Sequence, residues 1–536
     1  MINPSSYVEV IGRNMFEVLA RTFPVACASD EFFYFPQVRL SEPQWSTWDC
    51  FSSETITELA RRLSAWENEL NLLVSYESDL EVQIDIALIK EFTRTLREQL
   101  SDVRTWEFQP TFYLTLVCIG LAEAMESEDP AAKHERARSL PTFLNQASCN
   151  LNRVPVLFRD IALEMASDTK NYLGFLGTTL PELQSALAAL DRFENVLKNV
   201  STREDFLLPR ELLDHILRFH IHCEMNIQEI NHTLDQEIDD MQRILDEEAR
   251  NFVPDVSKVK RGHPLWREAL KSIPMPAIKK EGLVGLYQSE VNRLAKHCLE
   301  QGLVLPSLVD SCPVRVVSMP SFLSTIRTAS SYSIPPRHPP SGGTFYILNN
   351  DVPDEAQQKH HREYRMLAAH ETYPGHHLLD VSRWSLTRPC RRAVERPIFY
   401  EGWACFAEEL MRLTGYFSEP GDRLLLAKRR LWRAIRGKVD IGLQTGTMDI
   451  STAAEYLKET GISMEQGISS VRKYTLNPGY QLCYTLGLRR FLDLFARYGG
   501  NGLPNFVKMV LNQGEIDLTD IEKILQEYQE YQEYQY

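Results

Sequence analysis

Apolar residues recur at steps of three and four along much of this chain, which is the pattern of amphipathic α-helices. Three such ladders follow one another between residues 53 and 122. Their members are Leu59, Leu63, Trp66 and Leu70, then Leu80, Ile84, Leu88, Phe92 and Leu96, then Trp106, Pro110, Tyr113, Leu116 and Leu121. The longest periodic run, residues 209–250, predicts one very long helix or two stacked helices.

Two short stretches depart from the helical pattern. Residues 314–317 alternate as a strand does, and residues 344–349 form a second strand candidate. The Ser- and Pro-rich stretch 330–343 between them predicts a loop or extended lid. We expect a small sheet whose edge aligns an extended peptide by main-chain hydrogen bonds. The predicted fold is therefore mainly α, with a small β-sheet near an active-site cleft.

These patterns divide the chain into regions that we expect to form one integrated fold over residues 1–525. Residues 1–52 lack clear periodicity and predict an arm packed on the body. The other regions are a helical region at 53–310, the strands and loop at 311–350, a metal-binding catalytic helical region at 351–525 and a low-complexity tail at 526–536.

The composition narrows the class of function. Among 536 residues the formal net charge is −15, which disfavours nucleic acid or an anionic membrane as the partner. The ten cysteines stand singly, without a CxxC pair, so neither a disulfide scaffold nor a cysteine zinc site is indicated. No secretory signal is visible and the most apolar segment, 112–122, is about half of what spans a bilayer, so we expect a cytoplasmic protein.

The strongest chemical signal is a cluster of histidines. Five of the 13 histidines fall between His360 and His377. Apolar residues lead into His370 and Glu371, as in a buried helix that presents a metal ligand and a general base to a cleft.

The second metal ligand is irregularly spaced. Position i+4 from His370, where an HExxH motif has its second histidine, is Pro374. His376, at i+6, would lie about 9 Å along an unbroken helix and roughly 240° round it, too far to share one ion. Pro374 and Gly375 supply a break that folds His376 back toward His370. The competing interpretation is a helix end at which the two histidines are only caps.

Glu401 and Glu408 follow on a further predicted helix, seven residues apart and so on one face. One of them is a candidate third zinc ligand, and the other a candidate partner that holds a ligand histidine. The alternative is a helix with exposed glutamates.

With these residues in view, the chain resembles the bacterial "domain of unknown function 885" family, DUF885, a set of predicted zinc metallohydrolases. The resemblance covers most of the chain. Its motifs are Trp106-x-x-x-Pro110-x-x-Tyr113, Met319-Pro320, His370-Glu371-x-x-Pro374-Gly375-His376-His377, Glu401-Gly402-Trp403-Ala404, Pro478-Gly479 and Tyr484.

The resemblance implies a helical, gluzincin-like fold similar in layout to thimet-type oligopeptidases. It implies one Zn²⁺ per chain, held by His370, His376 and Glu401, with Glu371 as the catalytic base. His377 and Glu408 are then second-shell groups or alternative ligands. Tyr480 and Tyr484 are the counterparts by position of tyrosines that assist the transition state. The predicted substrate-binding residues are Tyr346, Asn349, Gln444, Lys473 and Tyr474.

Three positions depart from the family pattern, which usually has histidine at Gln444, arginine at Lys473 and glutamine at Tyr480. Because no histidine follows His377, a histidine oxyanion donor cannot come from that part of the chain. The departures therefore affect the transition-state group and the substrate, but not the metal ligands.

The predicted function is zinc-dependent hydrolysis of a small peptide or related amide. One alternative is a specialised hydrolase of a non-peptide amide in a biosynthetic or catabolic pathway. Another is a helical binding protein without catalysis, but a pure binder has no need of the base Glu371.

Overall fold

The computed structural model describes residues 4–74, 79–177, 180–253, 264–278, 280–320, 327, 329–348 and 361–534, and it is mainly α-helical. The helices of the first part of the chain are Pro4–Thr22, Ser53–Val74, Leu80–Glu98, Thr105–Phe108, Pro110–Glu126, Ala132–Asn150, Val156–Gly177, Leu183–Asn199, Arg210–His215, Ile227–Phe252, Leu265–Ser272, Gly282–Glu300 and Pro306–Ser311. Those of the second part are Tyr364–Glu371, His376–Ser385, Pro389–Ala393, Pro397–Leu413, Asp422–Gln444, Ile450–Lys458, Met464–Tyr474, Leu482–Tyr498, Leu503–Leu511 and Leu518–Tyr534.

The expectation of a mainly α fold with little strand is confirmed, and the three apolar ladders lie on helices. The run 209–250 is two helices, because a π-helical turn over Ile216–His220 ends the first one before the Ile227–Phe252 helix begins. The predicted arm, residues 1–52, contains the helix Pro4–Thr22, which the lack of clear periodicity did not reveal. That helix buries Val8, Ile11, Met15 and Leu19 against the body.

In the part of the chain that the structure describes, five short strands form two small sheets. Val154–Pro155 pairs in parallel with Thr202–Arg203. In the other sheet, Gly343–Ile347 is the central strand, parallel to Val314–Ser318 and antiparallel to Ser331–Ser333. The last of these strands lies inside the predicted loop 330–343.

One edge of the three-stranded sheet is already occupied. Tyr346 lies on the central strand, opposite Val317 on one side and Ser331 on the other, so its backbone is already paired. The outer edge at Val314 and Val316 is occupied by the side-chain amide of Gln288, which bonds their backbone at 3.2 and 2.9 Å. Ser331–Ser333 remains as the edge strand on the other side.

A single cluster of buried apolar residues extends from Val8 to Leu525, so the predicted regions share one core. Within the described residues no helix on its own is long and apolar enough to cross a membrane. The bent pair Leu80–Phe108 and Pro110–Glu126 reaches that length and composition only when taken together.

Five helices position the candidate site, and each is named here by a residue that it carries. They are the His370 helix (Tyr364–Glu371), the His376 helix (His376–Ser385), the Glu401 helix (Pro397–Leu413), the arginine helix (Asp422–Gln444) and the Tyr484 helix (Leu482–Tyr498). The Glu401 and Tyr484 helices cross at Gly402 and Gly487, where a Cβ added to Gly402 would lie 2.6 Å from the Gly487 Cα. This backbone contact brings the Glu401 carboxylate beside the tyrosines.

Candidate metal centre

A tight turn separates the His370 helix from the His376 helix. The Gly375 N–H donates to the carbonyl of Ala369 at 3.0 Å, and a Cβ on Gly375 would lie 1.8 Å from the His370 carbonyl oxygen. The Trp403 indole N–H donates to the Pro374 carbonyl at 2.9 Å, which ties the turn to the Glu401 helix. The sequence predicted a break at Pro374 and Gly375, and the two helices end and begin on either side of it.

His370, His376 and Glu401 come together as a buried cluster, each 4–6% exposed. Glu401 Oε2 lies 3.6 Å from Nε2 of His370 and 3.6 Å from Nε2 of His376. One candidate ligand atom from each residue lies within 4.8 Å of the others. Three side chains from three helices thus direct two nitrogens and one oxygen toward one point.

The spacing of these atoms fits a metal ion better than hydrogen bonds. A separation of 3.6 Å is beyond a good N–H···O bond. Tetrahedral zinc ligands at about 2.0–2.1 Å stand about 3.3–3.4 Å from one another, close to the observed separations. Glu401 Oε2 is buried and has no hydrogen-bond partner among the described residues, although such atoms are nearly always satisfied. The donor set of two imidazoles and one carboxylate is that of catalytic zinc sites.

The charges around Glu401 favour a ligand carboxylate. Burial acts to raise the pKa of Glu401, but the two imidazoles outweigh it and hold the pKa well below its usual range. Burial likewise opposes the charged form of His370, yet its interactions with Cys405, Glu401 and Glu408 raise its pKa well above the usual value. Metal binding at His370 must therefore displace a proton.

Glu408 supports His370 from behind. Its Oε1 lies 3.1 Å from His370 Nδ1, so the imidazole's other nitrogen is left for a metal. Arg429 donates to both Glu408 oxygens at 2.9 Å, and Arg433 donates at 2.6 and 3.1 Å. Against the effect of burial, the two guanidinium groups keep the pKa of Glu408 well below its ordinary range. Glu408 thus holds the His370 ring through Nδ1.

His376 is held differently. The Tyr400 ring stacks on its imidazole at 4.0 Å between centroids, and the Tyr400 hydroxyl donates to Asp380 at 3.2 Å. His376 Nδ1 is buried and has no hydrogen-bond partner among the described residues. Stacking on Tyr400, and not a second-shell hydrogen bond, fixes this ring.

Glu371 ends the His370 helix and is 7% exposed. Burial raises the pKa of its carboxyl above the ordinary value, while His370 and His376 oppose that shift. Glu371 is next to a ligand candidate in sequence but is not part of the ligand cluster. Its burial, its raised pKa and its place beside His370 make Glu371 a candidate general base.

Tyr480 and Tyr484 lie on the other side of Glu401. The Tyr480 hydroxyl donates to Glu401 Oε1 at 2.9 Å, which leaves Oε2 for a metal. Tyr484 interacts with both Glu401 and Arg436. Tyr480 therefore orients the ligand carboxylate, and Tyr484 is the candidate for contact with a substrate.

His377 does not join the ligand cluster, so its prediction as an alternative ligand is not supported by the geometry. Its Nδ1 lies 2.8 Å from the Tyr332 hydroxyl, and its Nε2 lies 3.0 Å from both the Cys312 carbonyl and the Tyr373 hydroxyl. Burial lowers the pKa of His377 to about 3, so the ring is neutral. His377 joins the small sheet to the His376 helix.

The predicted substrate-binding residues are dispersed. Gln444 is buried, and its amide donates to the Thr475 carbonyl at 3.4 Å. The Tyr474 ring lies beside the Arg436 guanidinium, at 5.4 Å. Among the described residues no contact joins Lys473 or Tyr346 to the ligand cluster, and Asn349 lies outside the described residues.

A second histidine cluster is a hydrogen-bonded network, and its distances differ from those of the candidate metal ligands. Glu98 Oε2 lies 2.7 Å from His215 Nε2 and 3.0 Å from His220 Nε2, and Gln99 bonds the other nitrogen of His220 at 3.0 Å. These are ordinary hydrogen-bond lengths, and every ring atom that faces Glu98 is satisfied. His220 is therefore a hydrogen-bonded core histidine.

The comparisons with known proteins place the chain in a family. The model of a family described as "Bacterial protein of unknown function (DUF885)" matches residues 40–525. The chain belongs to the DUF885 family. The predicted resemblance to DUF885 is thereby confirmed, and no curated protein matches the chain.

Two solved structures share the DUF885 fold of this chain. One is described as a "putative lipoprotein of unknown function" from Shewanella oneidensis; it has a TM-score of 0.75 and 16% identity, and the match covers 96% of this chain and 98% of that one. The other is a "putative lipoprotein" from Colwellia psychrerythraea, with a TM-score of 0.80 and 15% identity over 98% of this chain and 99% of that one. At these identities the likeness shows the fold alone.

Proposed function

We propose that this protein is a zinc-dependent hydrolase of peptide or related amide bonds, with a metallopeptidase-like helical fold. The observation that supports this most is the buried Glu401 Oε2, which lies 3.6 Å from the Nε2 atoms of both His370 and His376 and has no hydrogen-bond partner among the described residues. A bound cation accounts for all three atoms at once.

The roles of the residues follow from their positions. Zinc, when bound, supplies a Lewis acid that polarises the substrate carbonyl and acidifies water. Glu371 takes the proton from the attacking water and returns it to the leaving amine. The raised pKa of the buried Glu371 carboxyl makes it a stronger base than a solvated glutamate. Tyr484, which interacts with Glu401, is the candidate donor to the developing oxyanion.

The first test is metal content. We expect about one zinc per chain after dialysis, measured by plasma mass spectrometry, and its loss in His376→Ala and Glu401→Ala. His377→Gln is a matched control, since it changes the adjacent histidine while leaving the cluster intact, and should retain zinc. Glu98→Gln controls for the second cluster. Stoichiometric zinc in His376→Ala would refute the ligand set.

The second test separates base from ligand. Glu371→Gln keeps size and hydrogen bonding but removes the basicity, so the variant should keep its zinc and turn over at least about 10²-fold more slowly. Turnover is measured by mass spectrometry on a digest of a short-peptide library. Loss of zinc in Glu371→Gln would make Glu371 a ligand, and full activity would exclude the mechanism.

The two alternative functions predict different results in these two tests. A hydrolase of non-peptide amides, which the departures at Gln444, Lys473 and Tyr480 favour, binds zinc but leaves the peptide library intact. A binding protein without catalysis shows no dependence on Glu371 in any assay.

A further inference from the structure

Three buried arginines lie on one face of the arginine helix, at Arg429, Arg433 and Arg436. Arg429 and Arg433 both pair with Glu408, at distances of 2.6–3.1 Å. Arg436 is 8% exposed, and within the described part of the chain no carboxylate lies within ion-pair distance of it. A buried guanidinium stays charged, and removing a charge from water without an ionic partner costs several kcal/mol.

The groups that hold Arg436 are polar or aromatic, not acidic. Gln481 Oε1 accepts hydrogen bonds from its Nε, at 2.9 Å, and from its Nη2. The rings of Trp432 and Tyr484 lie 4.3 and 4.4 Å from its Cζ, and Tyr474 is third at 5.4 Å. Aromatic faces fix the plane of the guanidinium but do not neutralise it.

The nearest acid on the same helix does not neutralise Arg436. Asp440, one turn further on, accepts hydrogen bonds from the backbone N–H groups of Gly479 at 3.3 Å and Gln481 at 2.9 Å. Its carboxylate therefore holds the loop before the Tyr484 helix. Arg436 is therefore a cation of fixed position that makes no ion pair with the described residues.

The position of Arg436 relates it to the metal centre. The Tyr484 ring lies 4.4 Å from the Arg436 Cζ and 6.1 Å from the Tyr480 ring. The Tyr480 hydroxyl donates to Glu401 at 2.9 Å, so two tyrosines connect the cation to a proposed zinc ligand. If the acyl group of a substrate lay at the metal, the rest of that substrate would thus lie close to the Arg436 guanidinium. Gln481 occupies the Nε and Nη2 edge of the guanidinium, so a substrate carboxylate would pair with the Nη1 and Nη2 edge, which also matches a carboxylate in shape and charge.

We propose that Arg436 binds a carboxylate of the substrate, so that the enzyme selects amides with a free carboxylate close to the scissile bond. This rests on the proposed hydrolase function and narrows its substrate class to acidic amides. The carboxylate is either the end of a peptide main chain or an acidic side chain. The two share the chemistry that Arg436 recognises, and isomeric ligands distinguish them.

The first experiment measures binding without catalysis. Zinc-free protein is titrated calorimetrically with N-acetylglutamine, which has a main-chain carboxylate, N-acetylisoglutamine, which has a side-chain carboxylate, and N-acetylglutaminamide, which has none. We expect one of the two acids to bind at least about tenfold more tightly than the neutral amide, as a charge-assisted hydrogen-bond pair provides. Equal binding of all three compounds by the folded wild-type protein overturns the proposal.

Variants assign the preference to Arg436. Arg436→Gln should abolish it, and Arg436→Lys, which keeps the charge without the fork, should reduce it. Arg423→Gln makes the same charge change at an exposed position of the same helix, where Arg423 pairs with Glu248 at 2.9 Å, and should leave the preference intact. Circular dichroism verifies folding, and the wild-type comparison remains decisive if Arg436→Gln does not fold. A preference that persists in folded Arg436→Gln places the anion elsewhere and contradicts the assignment.

Hydrolysis provides an independent readout. With zinc-loaded protein, amidating the preferred carboxylate of a cleaved peptide should raise KM at least about tenfold in the wild type, by less in Arg436→Lys and not at all in Arg436→Gln. Cleavage that ignores the carboxylate refutes the role of Arg436 and leaves the hydrolase standing. Carboxylate binding in a protein that cleaves nothing supports Arg436 as a receptor and refutes the hydrolase.

Discussion

At the scale of single residues, buried aspartates hold loops through backbone N–H groups. Asp49 accepts from Val25 at 2.7 Å and from Ala26 at 3.0 Å, and so fixes the chain after the first helix. Burial raises the pKa of Asp49 to about 7, although both hydrogen bonds oppose the shift. As the pH rises, the folded protein therefore keeps the proton on Asp49 to a higher pH than the unfolded chain does, because the aspartate of the unfolded chain has a pKa of about 3.9.

This shift predicts a pH dependence of stability. Because the folded-state pKa of Asp49 lies above the unfolded value, its contribution is fully present below about pH 3.9 and is lost as the pH rises toward 7. The loss is on the order of 1 kcal/mol per pH unit. Asp49→Asn cannot titrate, so urea unfolding should show the wild type losing stability relative to Asp49→Asn between pH 5 and 7. A constant difference over that range would contradict the shift.

Some residues of the candidate site lie close together in the sequence, and others meet only in the folded structure. His370, Glu371 and His376 lie within seven positions, so the sequence could relate them through helix geometry and a proline break. Glu408 and its arginines meet only when the Glu401 and arginine helices pack, and the pattern left open which glutamate was the ligand. Nothing in the sequence distinguishes His377 from His376, because the difference lies in contacts with Tyr332 and Cys312.

At the scale of elements, the turn between the His370 and His376 helices is the most constrained part of the site. Gly375→Ala would bring a Cβ to 1.8 Å from the His370 carbonyl oxygen, so the turn must move and carry His376 with it. We expect zinc affinity to fall at least about tenfold although no ligand changes. Competition with a chelator measures it.

Gly174→Ala is the matched control for this variant. It makes the same substitution in a helix, at a position where an added Cβ meets nothing within 4 Å, and should leave zinc affinity unchanged. Equal zinc affinity in Gly375→Ala and the wild type would show that the turn does not set the position of His376.

Periodicity predicted helices where the buried face is regular and failed where it is not. The ladders at Leu59 and Leu80 lie on helices whose buried residues recur at three and four. Pro4–Thr22 has a similar buried face. When residues 1–52 are taken together, however, the aromatic stretch 32–35 obscures the helical periodicity of that face. The order of the three-stranded sheet was not predictable, since Ser331–Ser333 is too short for an alternation to be recognised.

At the scale of the whole molecule, an ion-pair group joins the Leu80–Glu98 helix to the segment between the His376 and Glu401 helices. Asp85, in the Leu80–Glu98 helix, pairs with Arg391 at 2.5 Å and also with Arg388, and both arginines lie between the His376 and Glu401 helices. Asp85 and Arg391 are buried, and Arg391 also reaches Glu81 at 2.8 Å. The metal centre is thereby fastened to the N-terminal helices.

Asp85→Ala should therefore destabilise the whole protein. Breaking a buried pair leaves a guanidinium only partly compensated, which costs about 3 kcal/mol or more. Calorimetry should show one unfolding transition at a lower temperature, with zinc content unchanged. Glu58→Ala, which breaks the exposed pair with Arg61, is the control and should not move the transition. Two separate transitions would show that the chain does not unfold as one unit.

Where Gly402 meets Gly487, two backbones touch with no side chain between them. In most helix pairs the separation drifts during evolution as interface side chains grow or shrink, and a site between the helices drifts with it. Here any replacement acts as a wedge, because a Cβ on Gly487 would lie 2.2 Å from the Ile398 carbonyl oxygen. Selection for a new substrate in this lineage must then act through exchange of the side chains that line the site, such as Tyr480 and Arg436, while the spacing between the helices stays fixed.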